Sequence, residues 1–154
     1  MHAIPVHPSG ASLERTPQRI LVPYDRSPGT DAAVEYGLCW AQRVSARLFI
    51  LALAPAPTAD DDPYFPPGAF LTDDLIAFAK LGQSMGVDVD GTLLNAPSLD
   101  ALKQVLGSHG IDQVLLPPLQ GAADMPMSDL LRQLAQDCPV PVDCLDAGVP
   151  EGVA

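Results

Sequence analysis

Residues 20–53, with the sequence ILVPYDRSPGTDAAVEYGLCWAQRVSARLFILAL, decide the fold, because two apolar runs flank one amphipathic stretch. The first run, residues 19–25, is short and ends in turn residues, which is typical of a buried β-strand. Ser27 can cap a helix predicted over residues 29–45, with a proline in its first position. The second run, residues 47–54, predicts another buried strand. Together these segments predict a β-α-β unit.

The rest of the chain continues this alternation, which implies an α/β fold: a five-stranded, mostly parallel, Rossmann-like sheet with helices on both faces. Thr72 and Ser98 are expected to cap the second and third helices. Ligands of such sheets bind beyond the carboxyl ends of the strands, beside the first strand. The remaining strands are predicted over residues 87–94, 111–117 and 140–145, and the remaining helices over residues 72–85, 99–106 and 128–137.

The length of 154 residues suits one domain. We predict a flexible N-terminal tail over residues 1–18, one domain over residues 19–146 and a C-terminal tail over residues 147–154.

No apolar run is long enough to span a membrane, and the N-terminal residues show no signal-peptide pattern. The three cysteines form no Cys-x-x-Cys pair, so we expect a reduced, cytoplasmic protein.

The charge of the chain narrows the range of partners. Eight basic and 19 acidic residues give a formal net charge of −11. Such a charge repels nucleic acid and anionic membranes, so neither is expected as a partner. It also disfavours a polyphosphate ligand unless Mg²⁺ accompanies it.

Three features of residues 20–53 resemble the universal stress protein family: an apolar strand ending in Val-Pro-x-Asp-x-Ser, an alanine-rich helix and a second apolar strand. The sequence CPVPV at residues 138–142 also resembles the start of the family's final strand. The resemblance implies a sheet of strand order 3-2-1-4-5 and a homodimer that pairs through its last strand. It further implies ATP or AMP binding, as in many members, or no nucleotide, as in relatives of the founding protein.

The resemblance places a nucleotide site at the carboxyl edge of the sheet. Asp25 matches the family's aspartate at the end of the first strand, Pro23 matches the neighbouring position, and Leu53 matches a backbone contact. Arg26 stands where the family commonly has glycine. Considered from the residues alone, Asp25 either contacts the nucleoside or only orders the turn after the strand, and both interpretations remain open.

Residues 106–110, LGSHG, resemble the phrase that opens the family's glycine-rich phosphate loop. If they formed that loop, the apolar residues 111–117 would be part of it and could not be a strand. The fourth strand would then have to lie upstream, in place of the third helix, and the crossover between two parallel strands would be too short. We therefore interpret Gly107 and Gly110 as a helix stop, where a left-handed residue is usually glycine.

The counterpart of the phosphate loop is the segment 117–131, in which Gly121 is the one glycine. Three prolines in the segment offer no N–H, so few donors remain for a phosphate. Gly121 and Ser128, at the start of the fourth helix, are the residues left to contact one. No cofactor is therefore required, and ATP or AMP with Mg²⁺ is disfavoured.

No other pattern in the sequence indicates a catalytic or metal centre. The consecutive residues Asp60, Asp61 and Asp62 could attract a divalent cation, but neighbouring loop carboxylates seldom converge on one ion. The histidines are scattered, without metal-ligand spacing. No nucleophile elbow and no Ser/His/Asp arrangement is recognisable. We therefore expect neither a metal site nor enzymatic activity.

Three functions remain, and the sequence favours the first. It is a non-enzymatic stress-response or regulatory domain, similar to universal stress proteins, that acts as a homodimer with a degenerate nucleotide site. The alternatives are an adenine-nucleotide-binding (AMP, ADP or ATP) stress protein and an uncharacterised α/β enzyme. The dimer is expected to use residues 140–149, with Val140, Val142 and Cys144 at the interface. Asp143 would repel its twofold mate if it faced that residue.

Overall fold

The computed structural model describes residues 16–56, 59–60, 62–65, 68–119 and 127–145. The predictions made for Gly121, for Asp61, for the tail residues 1–15 and 147–154 and for residues 146–149 of the dimer segment concern residues outside these ranges. Within the described ranges, no helix is both long enough and apolar enough to cross a membrane.

One five-stranded sheet organises the described chain, and every strand pair in it is parallel. The strand order β3-β2-β1-β4-β5 confirms the expected topology, with the first strand at the centre. The strands are β1 (Arg19–Tyr24), β2 (Arg47–Ala54), β3 (Val89–Asn95), β4 (Gln113–Leu116) and β5 (Val142–Cys144). The helices are α1 (Pro28–Val44), α2 (Leu71–Met85), α3 (Leu99–Ser108) and α4 (Ser128–Gln136).

Helices cover both faces of the sheet, because successive side chains of a strand point to opposite sides. Ile20, Val22 and Tyr24 of β1 pack in a core with the buried residues of α1 and with Leu71 of α2. Leu21, which lies between them in sequence, packs in a second core with buried leucines of α3 and α4. Both faces of the central strand are therefore buried.

Helix α1 forms as the sequence predicts. Ser27 is its N-cap, and the Ser27 hydroxyl accepts a hydrogen bond from the Thr30 amide at 3.4 Å. Gly37 allows a close approach to the sheet, since a Cβ there would lie 3.1 Å from side-chain atoms of Leu48 and Val22. The helix ends at Ser45, whose left-handed backbone lets its amide bond back into the helix.

The predicted cap of α2 is wrong. The helix begins at Leu71, one residue before Thr72, and the capping position is Phe70, which makes no side-chain capping bond. Leu71 is buried in the core, and its amide donates to the carbonyl of Gly68 at 3.1 Å. The start of α2 is thus set by burial of an apolar side chain, which outweighs the preference of threonine for a cap.

The end of α3 agrees with only part of the helix-stop prediction. Ser98 caps the helix as expected and accepts from the Ala101 amide at 3.2 Å, but Gly107 lies inside the helix and does not end it. Gly110 has a φ of 63°, and the Ile111 amide donates to the Leu106 carbonyl at 3.0 Å. This pattern is a Schellman motif with Gly110 as its left-handed residue.

Strand β5 is shorter than predicted, and its register decides where Asp143 points. Asp143 is paired with Leu115 of β4, whose side chain lies in the core under α1. The Asp143 side chain is therefore turned toward α1 and is only 5% exposed. This burial raises its pKa to about 6. The Asp143 side chain is directed toward α1 of its own chain, so it would not face a twofold mate paired along the outer edge of β5.

Residues 16–18, which the sequence analysis places in the N-terminal tail, contact the domain. Pro17 is buried. The Gln18 amide donates to the Asp112 carboxylate at 3.1 Å, and the Gln18 carbonyl accepts from the Arg47 amide at 2.9 Å. This segment therefore leads directly into β1 along the starts of β2 and β4.

Candidate functional site

The candidate site lies at the carboxyl edge of the sheet, where β1 ends at Tyr24. Pairing of β1 with β4 involves Ile20 and Leu21, whereas pairing with β2 continues to Tyr24. The strand order reverses between β1 and β4, so this edge is the switch point of an open α/β sheet. Pro23 is buried, and its nitrogen lies on the β4 side of β1, because the Arg19 carbonyl earlier on the same strand accepts from the Asp112 amide at 3.1 Å. Pairing of β1 with β4 ends before Pro23, which has no N–H to donate.

Asp25 follows β1 directly and orders the turn into α1. Its Oδ1 atom accepts hydrogen bonds from the Ser27 amide at 3.0 Å and from the Thr30 hydroxyl at 3.1 Å. The amide of Asp25 donates to the same hydroxyl oxygen at 3.3 Å. Thr30 is fully buried, so this small network is held rigidly at the start of the helix.

The second carboxylate oxygen of Asp25 has a different environment. Oδ2 is buried and accepts no hydrogen bond from the described residues. A buried carboxylate oxygen without a donor is costly, and a hydroxyl or amino group of a ligand would satisfy it. Asp25 can therefore order the turn through one oxygen and contact a ligand through the other. The two interpretations left open by the sequence are compatible in this geometry.

Arg26 occupies a position where glycine would be less strained, because its φ is 71°. Its side chain turns toward α2, where Nε lies 2.9 Å from Oδ2 of Asp74. The hydroxyl of Tyr24 donates to the same oxygen at 3.1 Å. Burial, reinforced by the carboxylates of Asp31 and Asp74, raises the pKa of Tyr24, so this hydroxyl keeps its proton. These bonds offset the backbone strain at Arg26.

Two phenylalanines extend this cluster over the loop between β2 and α2. The guanidinium carbon of Arg26 lies 5.3 Å from the centre of the Phe70 ring, a cation–π distance. Phe70 in turn stacks on Phe65 with ring centres 6.0 Å apart. The cluster ties the β2–α2 loop to the turn that contains Asp25.

Sequence reasoning missed three residues of this site: Thr30, Asp74 and Phe70. Thr30 has a local signal, because it lies three residues after the capping serine, within reach of the turn. Asp74 has none, since it lies 50 positions from Tyr24 along the chain. Asp74 lies in the first turn of α2, where the helix dipole favours a negative charge whether or not the residue belongs to a site.

Leu53 and Ser128 lie at the same edge as Asp25. Strand β2 makes its last pair with β1 at Ala52, so Leu53 lies past the end of β1, with its side chain buried in the core under α3 and α4. Ser128 is the first residue of α4, and the preceding Met127 gives no side-chain cap. Because α4 follows β4, its N-terminus lies at the carboxyl edge of a parallel sheet.

The three residues predicted for a dimer interface differ in exposure. Val140 and Val142 are half-buried and pack against the core under α3 and α4. Cys144 is exposed, and its thiol donates to the carbonyl of Pro117 at 3.2 Å. Of the three side chains, that of Cys144 is the one most open to a partner.

No protein-family model matches the chain, and no curated protein matches it in sequence. Solved structures do match it. UspA from Lactobacillus plantarum superimposes with a TM-score of 0.67 at 18% identity, over 83% of this chain and 97% of that chain. A universal stress protein family member from Burkholderia pseudomallei gives 0.64 at 17% identity, over 84% and 96%. A family protein from Arabidopsis thaliana with AMP bound gives 0.63 at 14% identity, over 88% and 95%.

The chain therefore has the Rossmann-like fold of the universal stress proteins, in agreement with the resemblance seen in residues 20–53. The similar structures share 11–20% sequence identity with this chain, and a likeness at this level establishes the fold. The chemistry of the site depends on this chain's own residues.

Proposed function

We propose that this chain is a member of the universal stress protein family: a cytoplasmic, non-enzymatic stress-response or regulatory domain that acts as a homodimer. Its nucleotide site is degenerate, with a nucleoside end and no triphosphate cradle. The fold shared with universal stress proteins supports the family, and the observation that carries the nucleoside end of the site is the Asp25 carboxylate at the carboxyl edge of β1. One of its oxygens is held by the turn and the other is buried without a donor.

The loss of the triphosphate cradle rests on the sequence that follows β4. In residues 117–131 there is one glycine and there are three prolines, and an anion nest requires several backbone N–H groups that point the same way. The N-terminus of α4 remains as an anion site of ordinary strength. One phosphate group can be bound there, but the β- and γ-phosphates of ATP lack donors.

A second candidate function, binding of an adenosine monophosphate, is favoured by the unpaired Oδ2 of Asp25. Other structures of the same fold are of a protein with AMP bound, one in complex with cAMP and one in complex with dAMP. Each of these ligands carries a single phosphate, which is the number that the α4 N-terminus can accept. In this candidate the nucleoside donates a hydrogen bond to Asp25.

Calorimetric titrations with AMP and with Mg-ATP test both candidates. We expect Mg-ATP to bind no more tightly than about 100 µM, because its outer phosphates find no donors. If AMP binds, the isosteric Asp25→Asn should weaken it about tenfold, since the amide keeps the turn but replaces the acceptor oxygen with a donor. Asp100→Asn, an exposed change of equal charge on α3, should leave the affinity unchanged.

The outcomes separate the two candidates. Submicromolar binding of Mg-ATP would show that the site is not degenerate. Equal AMP affinity in Asp25→Asn and in the unmodified protein would remove Asp25 from the site. Absence of AMP binding would eliminate the nucleotide-binding candidate and leave the regulatory domain. Mass spectrometry of small molecules released from protein purified without added nucleotide provides an independent measurement.

The proposed dimer uses the outer edge of β5. The Val114 amide donates to the Pro141 carbonyl at 2.9 Å, and the Leu145 amide donates to the Leu116 carbonyl at 3.0 Å. Because backbone groups of a strand alternate in direction, the amides and carbonyls of Val142 and Cys144 point away from β4. A twofold copy of the strand can pair with these groups and close the sheet edge.

A proline at position 144 tests this interface without removing the strand. Cys144→Pro deletes one outward N–H and none of the bonds to β4, so we expect a folded monomer by light scattering under reducing conditions. Cys144→Ala keeps the N–H and should remain dimeric. A monomeric unmodified protein would refute the dimer, and a Cys144→Pro dimer as stable as the unmodified one would place the interface elsewhere.

A further inference from the structure

A cavity lies at the amino edge of the sheet, opposite the edge that holds Asp25. Its volume is about 150 Å³, and it opens between the starts of β1, β2 and β3 and the end of α3. No part of the proposed function uses it. Its walls are formed by Arg19, Arg47, Leu48, Phe49, Asp90, Ser108, His109 and Ile111.

Two arginines dominate this cavity. Arg19 and Arg47 are register partners in β1 and β2, so their side chains leave the sheet on the same face and at the same level. The chain as a whole has a net charge of −11 and only eight basic residues. Two cations side by side are therefore unusual in this molecule. Both are exposed, so water screens their mutual repulsion, and an anion between them would reduce it further.

Carboxylates neutralise these arginines only weakly. Among the described residues, no carboxylate forms a salt bridge with Arg19, and its Nη1 donates to the backbone carbonyl of His109 at 2.8 Å. Arg47 has one carboxylate at 3.7 Å, that of Asp88, and both of these side chains are more than half exposed. A guanidinium has five donors, so both arginines retain donors for a ligand.

The Schellman motif at the end of α3 positions Arg19. Gly110 adopts its left-handed conformation beside the guanidinium, and a Cβ at this residue would lie 3.2 Å from Nη1. The neighbouring His109 ring packs on Phe49 with ring centres 4.4 Å apart. The LGSHG sequence, which is not a phosphate loop at the nucleotide edge, therefore builds one wall of this cavity.

Asp90 adds a negatively charged side chain to the cavity. It lies on β3 as the register partner of Phe49, and its carboxylate faces no salt-bridge partner among the described residues. Among the residues that line the cavity, the two arginines and Asp90 together carry a net charge of +1. Outside this lining, the Asp88 carboxylate lies 3.7 Å from Arg47, and the Asp112 carboxylate accepts from the backbone amide of Arg19 at 3.0 Å. A ligand that complements them carries a dianionic group toward the arginines and a donor group, such as an ammonium or a hydroxyl, toward Asp90.

We infer that this amino-edge cavity is a binding site for a small phosphate monoester that also carries an amino or hydroxyl group. Arg19 and Arg47 bind the phosphate, and Asp90 accepts a hydrogen bond from the donor group. A phosphate dianion fits two guanidinium groups better than a carboxylate does, because it has twice the charge and three terminal oxygens. The site is separate from the proposed nucleotide site and does not depend on it.

Nuclear magnetic resonance titration of the full chain tests the inference, with O-phosphoethanolamine, inorganic phosphate and ethanolamine as probes at constant ionic strength. We expect saturable shifts of the amides of Phe49, Ser108 and His109 with phosphoethanolamine, at a dissociation constant of about 1 mM or below. Inorganic phosphate should bind more weakly, and ethanolamine should not bind. The amides of Asp25 and Ser27, at the opposite edge, should not shift.

Matched variants distinguish binding in the cavity from a nonspecific effect of losing one positive charge. Arg47→Gln should weaken phosphoethanolamine at least about fivefold, whereas Arg43→Gln, an exposed residue of α1 outside the cavity, should not. Arg19→Gln provides a second cavity variant whose melting temperature is compared first, because it also loses the bond to His109. Asp90→Asn should reduce the preference for phosphoethanolamine over phosphate.

Three results would overturn the inference. They are shifts that do not saturate, an equal loss of binding in Arg43→Gln and Arg47→Gln, and shifts confined to the Asp25 edge. The last result would assign the phosphate to the nucleotide site instead. Nucleotide binding at Asp25 is measured with a different probe. A negative result for phosphoethanolamine therefore does not bear on the proposed function.

Discussion

Gly82→Ala is expected to lower the free energy of unfolding by about 1–3 kcal/mol. Gly82 lies inside α2, where that helix packs on β3. A Cβ there would lie 2.3 Å from a methyl group of Val89 and 2.9 Å from the backbone carbonyl of Val87. The carbonyl cannot move without displacing the chain that leads into β3, so the clash outweighs the better helix propensity of alanine.

Gly107→Ala is the matched control, because it makes the same chemical change inside α3. A Cβ at Gly107 meets no atom within 4 Å. We therefore expect it to stabilise the protein by about 0.5–1 kcal/mol through reduced entropy of the unfolded chain. Urea unfolding of both variants measures the difference. A Gly82→Ala variant as stable as Gly107→Ala would show that α2 can move away from β3 at little cost.

Asp143→Asn is expected to stabilise the protein by about 3 kcal/mol at pH 7.5. Burial against α1 raises the pKa of Asp143 from 3.8 to about 6, so the native state holds this proton more tightly than the unfolded chain does. Between about pH 4 and pH 6 the native state retains the proton that the unfolded chain has lost. Stability therefore falls as the pH rises through this window, and it stays reduced above it. Asparagine cannot ionise and avoids this loss.

The pH dependence distinguishes this explanation from a general effect of the substitution. At pH 4 the two proteins should differ in stability by only about 0.5 kcal/mol, because Asp143 is then protonated in the native state and still about half protonated in the unfolded chain. Asp100→Asn, an exposed change on α3, should show no such trend. A gain from Asp143→Asn that is equal at pH 4 and pH 7.5 would contradict ionisation of Asp143 as its cause.

The position of Asp143 also bears on assembly. The carboxylate faces α1, and burial together with the charge of Asp143 raises the pKa of the nearby Tyr36. Within residues 142–145, the part of this segment that the structure describes, the outer edge of β5 thus presents the backbone groups of Val142 and Cys144 without a carboxylate that opposes pairing. A dimer that pairs along this edge would therefore not have the repulsion between two Asp143 carboxylates that the sequence analysis considers.

The sequence by itself determined the order of strands and helices and the fold class. Apolar runs such as residues 47–54 are long, continuous and flanked by turn residues, so local periodicity identifies them without knowledge of their neighbours. The caps at Ser27 and Ser98 are equally local, because a capping bond reaches only two or three residues along the chain. The position of Asp25 at the end of a strand follows from the same pattern.

The tertiary structure decided the features that depend on contacts between distant segments. Burial of Leu71 moved the start of α2 away from Thr72, and the packing of Arg19 against Gly110 gave LGSHG its place in an amino-edge cavity. The pairing of Arg26 with Asp74, the inward direction of Asp143 and the unpaired oxygen of Asp25 likewise appear only after folding. Each depends on which strand lies beside which and in what register. Local propensity carries no information about this, since the free energy that fixes it comes from packing across the sheet.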